Sequence, residues 1–159
     1  MSSIRESATF YRAALWLGLV RSEDVVRWAD SLIEAGSDGL DALCEVALTP
    51  PHDLTALRRA LQLMAEERES QGVVAQLLEL VAADLAAGRR SARDTITVLG
   101  QMHSGIALPK ELREALHPFG IQYSLASAGV ENAIEDLEAR LRDWLLPWAA
   151  MQRQGLARK

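Results

Sequence analysis

The 159-residue sequence predicts an all-α protein of about eight helices, arranged as stacked antiparallel helical hairpins or as a compact irregular bundle. Three observations predict it. Apolar residues recur at spacings of three and four along most of the chain, as in Val25, Trp28, Ala29, Leu32 and Ile33. Glycine, proline and capping residues punctuate that pattern at lengths suited to short helices. No useful stretch alternates apolar and polar residues as a half-buried strand would, and strong hairpin-turn dipeptides are absent.

The first helix is expected over residues 2–20, with Phe10, Ala14, Leu17 and Val20 on one face. Gly18 then falls inside it, where glycine costs up to about 1 kcal/mol relative to alanine. Ser22 is the expected cap of a second helix running to about Ala35, with Glu23 and Asp24 complementing its positive end and Gly36 as its stop. Trp16 and Trp28 are expected to lock these two helices together. A third helix spans about 37–48 with Leu40, Leu43 and Ala47 inward, and Thr49-Pro50-Pro51 ends it. Asp53 caps a fourth, whose stripe is Leu54, Leu57, Leu61 and Met64, with Glu66, Glu67 and Glu69 at its exposed end.

Ser70 and Gly72 open a fifth helix, 73–87, whose apolar face takes in Val73, Val74, Leu77, Leu78, Leu80, Val81 and Leu85. A face that wide predicts the most buried helix. Gly88 closes it, and Ser91 followed by Asp94 resembles a capping box for a sixth helix presenting Ile96, Leu99 and His103. The seventh, 110–116, is expected to break at Pro118 and resume over 119–128. The last runs from Val130 to about Leu146, with Ile134, Leu137, Leu141 and Leu145 inward and Pro147 as end or kink. No fixed period links these segments. The whole of 1–159 is expected to form a single helical domain, with a frayed tail after about residue 150.

Composition narrows the function classes. Apolar residues make up 49% and charged residues 25%, which is ordinary for a globular protein and far from disorder. The single cysteine, Cys44, cannot form an internal disulfide, in keeping with a reducing compartment. Arg5, Glu6 and Arg12 interrupt the apolar N-terminal segment, unlike a secretory signal, and no run is long and apolar enough to span a membrane. A cytoplasmic location is the expectation. Charge is unevenly placed: residues 1–80 balance to −6 and residues 81–159 to +1, giving the net −5. An acidic chain is a poor general nucleic-acid binder, which needs cations to displace phosphate counterions, and suits a basic protein partner better.

No residue pattern points to catalysis, a cofactor or a metal. His52, His103 and His117 lie in separate segments, none paired with another ligand at helical spacing, so they are read as surface or cap residues. Cys44 follows the inward Leu43 and is read as a small packing residue. Gly88-Arg89-Arg90-Ser91 with Arg93 is a basic cluster without a glycine-rich cradle or a stacking aromatic, hence a solvated loop, with an anion contact as the alternative. Trp144 and Trp148, in WLLPWAAM, are read as cover for the core or for a docked terminus. The feature that stands out is acidic. Asp30 and Glu34 are four apart, as are Asp41 and Glu45, and Asp38 precedes Asp41 by three, so each set lines one outer helical face.

The order ALWLGLVRSEDVVRWADSLI, DALCEVALT, LLELVAADLAAG, IALPKELREALHPF and ENAIEDLEARLRDWLL resembles small all-helical bacterial immunity proteins of polymorphic toxin systems. The clearest part is Leu19 to Ala29, with Trp28-Ala29-Asp30 following the Ser22 turn. That family has no catalytic residues to carry over. The resemblance implies a non-enzymatic neutraliser that binds a cognate toxin domain and occludes it. Joined to the charge pattern, it makes Asp30, Glu34, Asp38, Asp41 and Glu45 the expected contacts to a basic partner. The alternative is a helical adaptor or regulatory domain that takes a peptide or a helix in an apolar groove.

Overall fold

The computed structural model describes residues 3–128 and 134–157. Eight helices follow one another: α1 (Ile4–Trp16), α2 (Ser22–Glu34), α3 (Leu40–Leu48), α4 (Leu54–Gln62), α5 (Gln71–Ala86), α6 (Ala92–Gly105), α7 (Lys110–Ser127) and α8 (Ile134–Ala157). No strand occurs among the described residues, so the chain is all-α as its periodicity predicts. Its contacts divide into two compact units, 1–73 and 74–159.

In the first unit α2 packs along α3, α1 along α4, and α3 against α4. Ala8, Leu15, Val25, Ala29, Leu43, Val46, Leu57, Ala60, Leu61 and Met64 form one buried cluster drawn from all four helices. A face of α1 then ties down the segment after α4. Arg12 donates to Gln62 Oε1 (2.6 Å) and to Glu69 Oε1 (3.0 Å), Thr9 Oγ1 accepts the Glu66 N–H (2.8 Å), and Glu6 Oε1 accepts the Ser70 hydroxyl (3.2 Å). The three residues are three apart, so they stand on one side of the helix.

In the second unit α6, α7 and α8 pack on one another. On α5, whose first three residues belong to the first unit, the wide apolar face is buried as expected, at Val73, Val74, Leu77, Leu78, Val81 and Leu85, while Leu80 stays at intermediate exposure. On α8, Leu141 and Leu145 are fully buried. The inward positions expected for Ile134 and Leu137 lie outside the described side chains, and Val130 lies outside the described residues.

The two units begin alike. Helix α1 ends at Trp16 rather than near Val20, because Gly18 adopts φ +67° and the Leu19 N–H turns back to Ala14 O (2.8 Å). Gly18 is therefore a left-handed terminator, not an interior defect. Gly88 does the same for α5 at φ +69°, with the Arg89 N–H reaching Asp84 O (2.9 Å). Three residues after each glycine comes an N-cap, Arg21 or Ser91, and three further an aspartate, Asp24 or Asp94. The same displacement relates Leu40 to Lys110, the first residues of α3 and α7, and buried Val25 and Ala29 to buried Thr95 and Leu99.

Several sequence expectations are corrected. Arg21, not Ser22, holds the N-cap of α2; Asp24 Oδ2 accepts the Arg21 N–H (3.3 Å), so the carboxylate supplies the local bond that a serine cap would have made. Trp16 does not lock α1 to α2. It is 38% exposed, and Tyr11 takes the place against Trp28 with ring centroids 4.9 Å apart. Leu40 and Leu54 are each 50% exposed, Leu40 because the inward line of α3 is Leu43–Val46, and Leu54 because it is the first residue of α4, ahead of the buried Leu57, Ala60 and Leu61. Helix α7 runs unbroken through Pro118, and α8 through Pro147 to Ala157. Both prolines are exposed, so water can reach the carbonyl that each leaves without a helical partner.

Candidate functional site

The five carboxylates singled out by spacing are all exposed: Asp30 and Glu34 on α2, Asp38 in the turn after it, and Asp41 and Glu45 on α3. Since α2 packs along α3, the acidic positions stand on neighbouring helices. Among the described residues none of the five has an ion-pair or hydrogen-bond partner. Some other acidic residues differ, Asp24 being held by Arg21 and Arg27, Glu69 by Arg12, and Asp84 by Arg89 and Arg90, whereas the exposed Glu23, Glu66, Glu67 and Glu111 also make no ion pair among the described residues. Without counter-charges the five repel one another across water, a penalty that grows at low salt.

Exposed leucines adjoin this acid. Leu48 is 82% exposed and Leu40 is at 50%, and with Cys44 between them they form an i, i+4, i+8 row along α3 beside Asp41 and Glu45. Asp41, Cys44, Glu45, Leu48, Thr49, Pro50 and Ala56 line a shallow depression there. Sequence reasoning missed this row by assigning Leu40 to the core. The available signal was the overfull apolar content of α3, whose nine residues carry more apolar positions than one buried stripe can use.

The basic cluster resolves into an ion-pair network. Arg89 Nε lies 2.9 Å and Arg90 Nε 3.8 Å from the two oxygens of Asp84 near the end of α5, so the two guanidiniums share one carboxylate. Ser91 caps α6 as expected: its Oγ accepts the Asp94 N–H (3.1 Å) and donates to Asp94 Oδ2 (2.8 Å).

Two of the three histidines come together. His103, in the last turn of α6, and His117, on α7, both line a cavity with Ile96, Leu99, Gly100, Leu116, Phe119 and Gly120. Its volume is about 150 Å³. His103 is exposed, as its reading as a surface or cap residue expects and unlike Ile96 and Leu99, with which spacing groups it on one face; Met102 is its buried neighbour. Among the described residues no carboxylate, hydroxyl or thiol shares this lining. His52 is exposed in the turn before α4. Among the described residues no group of three or more His, Cys, Asp or Glu could hold a metal ion, and no helix is long and apolar enough to cross a membrane.

Comparison of the chain with protein-family models, with curated proteins and with solved structures gives no match.

Proposed function

We propose that the chain is a non-enzymatic, cytoplasmic protein-binding module of the immunity type, which neutralises a cognate bacterial toxin by occluding it. The observation that carries this reading is the set of five exposed carboxylates without counter-charges, Asp30, Glu34, Asp38, Asp41 and Glu45, on two helices packed together. A domain rich in Lys and Arg, such as a nuclease, relieves their mutual repulsion and is steered toward them at long range. Leu40 and Leu48, exposed beside the acid, supply the apolar contact that carboxylates lack. An interface of about 800 Å² per partner would cover such a face and block access to the partner's own site.

The test is co-expression with the product of the neighbouring reading frame, followed by binding of the purified pair at low and high salt. Rescue of growth, with an association rate that falls as salt rises, is expected. Failure to rescue and to bind overturns the assignment, and a salt-independent association rate overturns the steering. A second reading, an adaptor taking a peptide or helix, is favoured by the depression beside Leu48 and Pro50. Exchanging Leu48 for Ser separates the two: the adaptor loses its ligand, whereas the acidic contact keeps its salt-dependent association rate.

A further inference from the structure

The cavity between α6 and α7 has a feature that packing does not explain. Gly100 and Gly120 both line it, and both lie inside helices, where glycine is about 1 kcal/mol less favourable than alanine. A helical glycine is ordinarily kept for a left-handed backbone or for a neighbour too close to admit a Cβ. Neither applies. The positive-φ glycines are Gly18, Gly36, Gly39 and Gly88, and a Cβ built on Gly100 or Gly120 meets nothing within 4 Å. What the two missing side chains leave is room.

The size and walls of that room select an occupant. A pocket of about 150 Å³, walled by leucine, isoleucine and phenylalanine and open to water at the exposed Gly100, His103, His117 and Gly120, has room for a single benzene-sized ring. Ile96, Leu99 and Leu116 are buried walls, and the Phe119 ring is braced against Trp144 of α8 with centroids 5.0 Å apart. Among the described residues, the polar side chains of the lining are those of His103 and His117. A neutral imidazole carries one donor and one acceptor, and a hydroxyl pairs with either. We infer that the α6–α7 cavity is a binding site for a small monocyclic phenol, its ring against Leu99, Leu116 and Phe119 and its hydroxyl at His103 and His117.

The test is an amide NMR titration of the full chain with phenol, with benzene as comparator. Saturable shifts centred on the Gly100 and Gly120 amides are expected, with a dissociation constant on the order of 1 mM for so small a ligand. Absence of saturation, or shifts centred elsewhere, overturns the site. Gly100→Leu should abolish the titration while leaving the thermal midpoint unchanged or raised, since its Cβ enters open space; Gly120→Leu is the independent repeat. Phenol binding that survives both variants overturns the assignment. The double change His103→Ala with His117→Ala should weaken phenol by roughly 3- to 10-fold and leave benzene unchanged. Equal effects on the two ligands overturn the hydroxyl contact.

Discussion

The hydroxyl of Thr9 accepts the backbone N–H of Glu66 at 2.8 Å and donates to Arg5 O at 2.7 Å. Thr9 has no exposed surface, so both of its hydrogen-bonding roles are met inside the protein. A buried polar group is tolerated because it is satisfied, and removing one partner leaves the other to bear its desolvation. Thr9→Val keeps the shape and strands the Glu66 N–H. It should lower stability by about 1–3 kcal/mol, whereas Thr9→Ser should lose less, and urea unfolding of the two variants measures the difference.

Arg12 and Glu69 tie the same segment from the next turn of α1, each with only 14% of its side chain exposed. That burial places the pair between a solvated surface bridge, worth about 0–1 kcal/mol, and a fully buried one. Arg12→Met should destabilise by about 1–2 kcal/mol, because Glu69 and the Gln62 amide both lose their donor. The double variant Arg12→Met with Glu69→Gln should recover part of that loss. A double-mutant cycle in denaturant is the measurement.

How far this architecture can be read in the sequence depends on the range of the interactions involved. Helix stripes and caps are local, so Asp53, Ser91 and Gly88 take their expected places, and the buried face of α5 is set by its own residues. The ties from Glu6, Thr9 and Arg12 join residues more than fifty apart in sequence, and no local pattern announces them. A phase error followed in α3, which carries more apolar residues than one stripe can bury, so that Leu40 faces solvent while Leu43 goes inward; Leu54, on the same side of α4 as Leu57, is exposed at the helix's first residue. The likeness between the units was hidden for a related reason. The displaced positions share burial and cap geometry more than residue type, as Val25 against Thr95 and Arg21 against Ser91 show. The five acidic positions chosen by spacing are each exposed, but the meeting of His103 and His117 in one lining depends on how α6 and α7 pack, which neither helix encodes alone.

Asp24 makes a small contribution to stability on the acid side. Hydrogen bonding from Arg21 holds its carboxyl below the usual carboxylate range, despite some opposing desolvation, and the charge of Arg27 adds to the effect. A group whose folded pKa is depressed stabilises above its unfolded pKa, near 4, and that contribution is lost as pH falls through the folded value. The melting temperature of the native chain should therefore drop on acidification below about pH 4, and Asp24→Asn should flatten that part of the profile. The same substitution should shift Tyr11. Burial first, and then the charge of Asp24, raise the Tyr11 pKa, so the phenol should ionise at lower pH in the variant, read as tyrosinate absorbance.

Pro118 offers a test of the unbroken α7. It is exposed, it lies inside the helix Lys110–Ser127, and it cannot donate to the carbonyl of residue 114. In a helix interior proline is about 3 kcal/mol less favourable than alanine, although solvation of the freed carbonyl offsets part of that here. If α7 is continuous, Pro118→Ala restores a helical hydrogen bond with no new burial and should stabilise the protein by about 1–2 kcal/mol. If instead the chain breaks at His117, alanine gains no helical partner and loses proline's restriction of the unfolded chain, which would destabilise by about 0.4–1 kcal/mol. The sign of the change in denaturation midpoint decides between a continuous helix and two short ones.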